Sequence, residues 1–365
     1  MIIYINDGDF MKYQSYNKSK IKSQIKELEE LYETRKLKSI KNDIEILQEL
    51  LTDDNEEVFP VPYLFKDLLM DDSMYIRKHQ AFINDINKFA SLSKIMKDLE
   101  YKYIDTWNIP MSSLFSFVHD FYNSLDKEIA KYFNRIFKER RNNFKLSNYR
   151  SCMLTIRSLN YSYLNVERGD TITVYLSMVH EYAHAIADAY LQRDTLTSDK
   201  YPYVEYFPLL IELLALDRLN DVFYDLEDDT TIIKKEKLNL MLSYAKDISI
   251  ESYYLETLNS FKNKKDTIND LKNMTNLSRR YFKDMFSTIA REKLTYLIPY
   301  MAAIESYYQF QEDPKLAIEN AKTIIKLPRA KEYRSILDKL DLNLNEHSQE
   351  FATDVKKKIL KIQQN

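Results

Sequence analysis

His180, Glu181 and His184 stand in the order H-E-x-x-H within TITVYLSMVHEYAHAIADAY, residues 171–190. The segment has no Gly or Pro, and Leu176, Val179, Ala183 and Ile186 recur at helical spacing. On a helix, residues four apart share a face. Both imidazoles can therefore turn a nitrogen toward one small cation. Glu181 sits one residue round the turn, within reach of a water on that cation. Two neutral imidazoles suit zinc, and the adjacent carboxylate suits a general base. Paired histidines on an apolar helix are also ordinary core residues. Yet the chain has five histidines in 365 residues, and two fall at the required spacing with Glu at the required inner position.

A catalytic zinc takes three protein ligands and keeps one open position. Glu205 follows His184 at the start of the next helical segment, and Glu212 lies two turns further along the same face. Either can supply the third ligand, with the other behind it. Glu212, inside the apolar run LLIELLAL, also reads as a buried partner for an Arg or for His180, since an unpaired buried charge is costly. Asp188, one turn past His184, either orients an imidazole from behind or is solvated.

The elements that must position these groups are mostly helical. Two Gly and 8 Pro in the whole chain leave little support for hairpins or Gly-rich phosphate loops. Hydrophobic residues at 45% and charged residues at 30% describe a soluble globular protein. A net charge of −3 argues against a general nucleic-acid binder. Cys152 is the single cysteine, which excludes an internal disulfide and fits a reducing compartment. MIIYINDGDF lacks the basic and apolar regions of a signal segment. No apolar run approaches a membrane span, and PLLIELLALDRL is interrupted by charge. A cytoplasmic protein is expected.

Residues 18–52 carry Ile21, Ile25, Leu28 and Leu31 at helical spacing and read as a helical hairpin or one long amphipathic helix. Further helices are expected over 74–104 and 112–143, the latter ending in the basic cluster Lys138, Arg140, Arg141 and Lys145, read as a solvated helix end. Near residue 148 the texture changes. SCMLTIRSLNYSYLNVERGDT is β-branched and aromatic, and predicts strands near 152–157 and 161–166 before the H-E-x-x-H helix. A helix starting near Glu205 keeps Pro208 in its first turn, where it is tolerated. Helices are also expected over 231–262, 266–291 and 293–311, then an Asp313-Pro314 helix start and a last helical pair. The division expected is a helical region 1–148 and a chemistry-bearing region 149–365.

NYSYLNVERGDTITVYLSMVHEYAHAIADAY, with YVEYFPLLIELLALD after it, resembles the core of the thimet oligopeptidase and oligoendopeptidase F family of zinc metallopeptidases. In that family a strand leads into an H-E-x-G-H helix. A second helix comes next, with a ligand Glu and another Glu seven residues on, which match Glu205 and Glu212. TYLIPYMAAIESYYQFQEDPKLAIENAKTII is similar to the family's Tyr-rich segment opposite the metal. The resemblance spans roughly residues 150–330. It implies a mainly α, zincin-like fold, with a small β-sheet beside the H-E-x-x-H helix and a substrate groove between helical lobes. It implies one Zn2+ per chain on His180, His184 and Glu205, with Glu181 as general base and Glu212 behind the ligands. Tyr296 and Tyr300 match the tyrosines that stabilise the transition state, with Tyr307 and Tyr308 next. The activity implied is hydrolysis of short peptides.

The chain departs from that pattern in places. Ala183 stands where the family usually has Gly, the spacer between His184 and Glu205 is shorter, and Pro208 replaces a usual Ser. The chain is shorter than typical members, mostly in its N-terminal region. The family's substrate-binding His before the Tyr-rich segment has no counterpart, because no histidine falls between His184 and His347. These departures motivate two alternatives: a relative that binds peptide or protein without cutting, and a protease dedicated to one folded target.

Overall fold

A computed structural model describes residues 16–52, 109–145, 151–159, 161–167, 169–190, 205–223, 231–245, 248, 297–326 and 346–364. The helices expected over 74–104 and 266–291, the stretch 249–262 and Tyr296 lie outside the described residues. Among the described residues no helix is long and apolar enough to cross a membrane.

Along residues 161–166, Tyr161, Tyr163 and Asn165 alternate with Ser162, Leu164 and Val166, and a period of two gives a strand two faces. This stretch forms the centre of a three-stranded sheet made by β1 (Asn142–Lys145), β2 (Cys152–Ile156) and β3 (Tyr161–Glu167), in the order β1-β3-β2. β2 runs antiparallel to β3, with Cys152 opposite Asn165 and Ile156 opposite Tyr161. β1 runs parallel to it, with Asn142 opposite Leu164. The six residues 161–166 are all buried, so both faces of β3 are covered.

One face is covered by α1 (Lys18–Arg35) and α2 (Lys38–Thr52). Residues 18–52 form the hairpin, not the single long helix. Lys36 ends α1 in the left-handed conformation, with φ 51°, and its N–H donates to the Tyr32 carbonyl, a helix-terminating geometry. Ile21, Ile25 and Leu28 meet Ile40, Ile44 and Leu47, and together they pack on Leu154, Ile156, Tyr161 and Tyr163. Polar bonds fix this layer: Tyr163 Oη donates to Gln24 Oε1, and the Ser158 N–H donates to Asp43 Oδ2 at 2.8 Å.

The other face meets α5 (Ile172–Tyr190), which carries the H-E-x-x-H motif. Two further helices, α3 (Met111–Leu125) and α4 (Lys127–Lys138), pack on α5. The helical stretch expected over 112–143 is broken at Asp126, whose extended backbone lets its side chain cap the N–H groups of Glu128 and Ile129. It then leaves the helix at Arg140, with φ 53°, and residues 142–145 join the sheet as β1. Two strands were expected here and the third is new. Four residues are too few for a periodic signal; β1 is defined by its pairing with β3 and by Phe144 packing on Phe115, with ring centroids 5.8 Å apart.

The remaining described helices are α6 (Tyr206–Val222), α7 (231–245), α8 (Leu297–Glu312), α9 (Pro314–Ile325) and α10 (Glu346–Gln364). The chain forms two compact units. The first contains α1–α5, the sheet and the greater part of α6; the second contains α8–α10, most of α7 and the first turn of α6. Asp313 caps α9 through the N–H groups of Lys315 and Leu316, with Pro314 in its first turn. Glu305 of α8, almost wholly buried, accepts the N–H groups of His347 and Ser348 at 3.0 Å each and pairs with His347 Nδ1. It thereby caps the start of α10.

Candidate metal centre

α5 is apolar nearly all round, as a helix enclosed by other elements must be. Its more accessible strip is Thr173, Ser177 and His180, spaced four and three apart, and His184 continues that strip. The helix is held on several sides. Tyr122 of α3 donates to the Val179 carbonyl, the Phe133 ring lies 5.0 Å from that of Tyr182, and Tyr175 Oη donates to the Ala215 carbonyl of α6 at 3.3 Å. Arg218 of α6 in turn pairs with Asp120 of α3 at 2.8 Å. Burial, with the nearby acids Glu212 and Glu181 adding to it, pushes the Tyr122 hydroxyl well above the ordinary phenol range, so it remains a donor.

Within this frame the Nε2 atoms of His180 and His184 converge to 3.0 Å. Two ligands about 2.0 Å from a tetrahedral zinc stand about 3.3 Å apart, so the spacing is close to that of an ion-binding pair. Glu205, immediately before α6, joins them: one ligand atom from each of His180, His184 and Glu205 lies within 4.8 Å of the others. Glu205 belongs to the helix after it, since its carbonyl accepts the Leu209 N–H at 3.1 Å. Glu212, two turns further along, takes a different place. Its Oε1 lies 2.9 Å from His180 Nδ1. A carboxylate only accepts, so that contact puts the His180 proton on Nδ1 and leaves the Nε2 lone pair for a cation. Two convergent imidazole nitrogens, one turned outward by an acid behind it, and a nearby carboxylate form a donor set that fits zinc.

Glu181, His184 and Glu205 are 6%, 8% and 8% exposed, and His180 is half-buried. Asp188 is buried too, and its Oδ2 accepts from Ser162 Oγ and from Thr155 Oγ1. It is thus held by the sheet rather than solvated. Burial raises its pKa, while the two hydroxyls, His184 and Arg141 oppose that rise.

The first turn of α6 is tied within the second unit. Tyr206 Oη shares a 2.7 Å hydrogen bond with Ser306 Oγ of α8, and Tyr244 Oη of α7 donates to the Leu209 carbonyl at 3.0 Å. Tyr300 of α8 is half-buried, with its ring 4.7 Å from that of Tyr244. Tyr307 Oη accepts from Lys237 Nζ at 2.6 Å, and the Tyr308 ring stacks on His347 at 4.8 Å. Sequence reasoning missed the Thr155–Ser162 pair and the Glu305–His347 cap. Ser162 carried a signal, being polar at the strand parity of Leu164 and Val166. The Glu305–His347 contact spans two distant segments and has no local pattern.

No protein-family model and no curated protein matches the sequence. Solved structures do. A structure from Bacillus anthracis str. Ames, assigned as an oligoendopeptidase F, is similar over 95% of this chain and 68% of its own, at 11% identity and a TM-score of 0.52. A second oligoendopeptidase F structure is similar over 93% of this chain and 66% of its own, at 12% identity and a TM-score of 0.55. The structure of PZ peptidase A with an inhibitor is similar over 96% of this chain and 70% of its own, at 10% identity and a TM-score of 0.51. At such identities the likeness is one of fold. A mainly helical chain, with a small mixed sheet beside its H-E-x-x-H helix, has the fold of the oligoendopeptidase F structures at about two thirds of their length.

Proposed function

We propose that this protein is a zinc-dependent endopeptidase that hydrolyses short peptides in the cytoplasm. The observation that carries the reading is the convergence of His180, His184 and Glu205, with the buried Glu181 next to His180 in the chain. The fold likeness to peptidase structures supports it. Zinc held by His180, His184 and Glu205 would supply Lewis acidity, which acidifies water and polarises a scissile carbonyl. Glu181 takes the proton of the attacking water and delivers it to the leaving amine. Glu212 keeps the His180 proton on Nδ1. One or two tyrosine hydroxyls, Tyr296 or Tyr300, would donate hydrogen bonds to the oxygen that gains charge at the scissile carbonyl.

The test is metal content together with turnover of a quenched short-peptide library. Wild type should hold one zinc per chain and cleave. Glu181→Gln should keep the zinc and lose turnover by about 10²–10⁴-fold. His180→Ala and His184→Ala should lose the metal. Undiminished turnover in Glu181→Gln, or no zinc in the wild type, would overturn the proposal.

A further inference from the structure

Glu205 stands at the end of a helix, where backbone is least held. Its carbonyl accepts the first hydrogen bond of α6, from the Leu209 N–H at 3.1 Å, which is the place of an N-cap residue. Helix ends fray, because their outermost backbone groups lack partners within the helix. A side chain carried on such an end keeps its direction only if something outside the helix holds the turn. Two tyrosines do so within the second unit. Tyr206, next to Glu205 in the chain, is fully buried, and its Oη shares a 2.7 Å hydrogen bond with the equally buried Ser306 Oγ of α8. Tyr244 of α7 is 2% exposed and donates to the Leu209 carbonyl at 3.0 Å. Leu209 is thus held on both sides, by Glu205 through its N–H and by Tyr244 through its carbonyl. The two hydroxyl bonds come from different helices, so together they resist both a shift of the turn and its rotation.

We propose that Tyr206, Ser306 and Tyr244 are positioning residues for the metal centre: their hydroxyls clamp the first turn of α6 and so hold the Glu205 carboxylate at the place where it joins His180 and His184. The inference rests on the proposed zinc site. A phenyl ring would fill the same space at either tyrosine, and the hydroxyls add what packing lacks, a directed bond. Direction matters for a ligand, since a binding constellation works only when its groups are held within about 0.5 Å of the productive geometry. His180 and His184 share one continuous helix and need no such clamp to keep their spacing. Glu205, at a helix end, does.

The experiment is zinc affinity by competition with a chromophoric chelator, on the full chain, with a thermal melt of each apo-protein alongside. Tyr206→Phe and Tyr244→Phe should each bind zinc about fivefold more weakly, the worth of one net hydrogen bond. Tyr206→Phe combined with Ser306→Ala should bind no more weakly than Tyr206→Phe alone, because the two residues share one bond. Tyr163→Phe removes an equally buried hydroxyl bond, to Gln24 of α1, and should keep wild-type zinc affinity even where its melt falls. Wild-type affinity in both Tyr206→Phe and Tyr244→Phe would overturn the proposal. An equal loss in Tyr163→Phe would also overturn it, since the effect would then be one of general stability. If Tyr206→Phe does not fold, Tyr244→Phe against Tyr163→Phe gives the same comparison, and equal affinities would overturn it. A wild type that binds no zinc would instead overturn the zinc assignment on which the inference rests.

Discussion

The two ring nitrogens of His180 face different partners. Nδ1 meets Glu212 and Nε2 meets His184, so the tautomer and the ring direction are both set by one acid on α6. Glu212→Gln can keep that contact only weakly, through a neutral acceptor, and Glu212→Ala removes it. Zinc affinity should fall by about 10–100-fold in Glu212→Ala, less in Glu212→Gln, as read by chelator competition. Unchanged affinity in Glu212→Ala would make Glu212 a helix-packing residue only. At this scale much was legible. H-E-x-x-H is a local spacing on one helix, and helical geometry converts it directly into a shared face. The choice between Glu205 and Glu212 was not legible from spacing, because seven residues return a helix to the same face. The two acids differ in height along α6, and only the position of that helix against α5 separates them.

At the scale of elements, α3 braces the motif helix through Tyr122 and reaches α6 through Asp120. It also carries His119, whose ring sits edge-on to Phe133 and Phe137 at 5.8 and 5.9 Å. Burial lowers the His119 pKa below its ordinary 6.5, with Asp120 opposing the change. A base with a lowered folded pKa leaves stability intact above pH 6.5 and removes it as pH falls through the folded value, because the unfolded chain takes the proton first. His119→Gln should therefore show a smaller fall in melting temperature than wild type between about pH 7.5 and about pH 5. Equal falls in the two proteins would assign the acid sensitivity to other groups. The β2 and β3 strands were legible from alternation, as was the Asp313-Pro314 helix start. β1 was not, since its pairing partner lies across the sheet.

At the scale of the whole molecule, the proposed zinc would tie α5 to the start of α6. Anything that binds the folded chain alone stabilises it by mass action. Added zinc should stabilise the folded chain by about 2.7 kcal/mol at a hundredfold excess over the dissociation constant, so the melting temperature should rise with zinc concentration and a chelator should reverse it. A melting temperature indifferent to both would mean that the three residues hold no ion in the folded state.

The amino-acid sequence by itself determined the features that neighbours along the chain dictate. It set a helical majority from scarce Gly and Pro, the two histidines and Glu181 from a four-residue spacing, and two strands from alternation. The tertiary structure decided what depends on segments far apart. It placed Glu205 with the imidazoles and Glu212 behind one of them, brought Thr155 and Ser162 to Asp188, and laid the α1–α2 hairpin over the sheet. The reason is physical. Periodicity fixes which face of an element is apolar, but not which of several apolar faces it meets. That is settled by packing the buried side chains together without leaving a buried polar group unpaired.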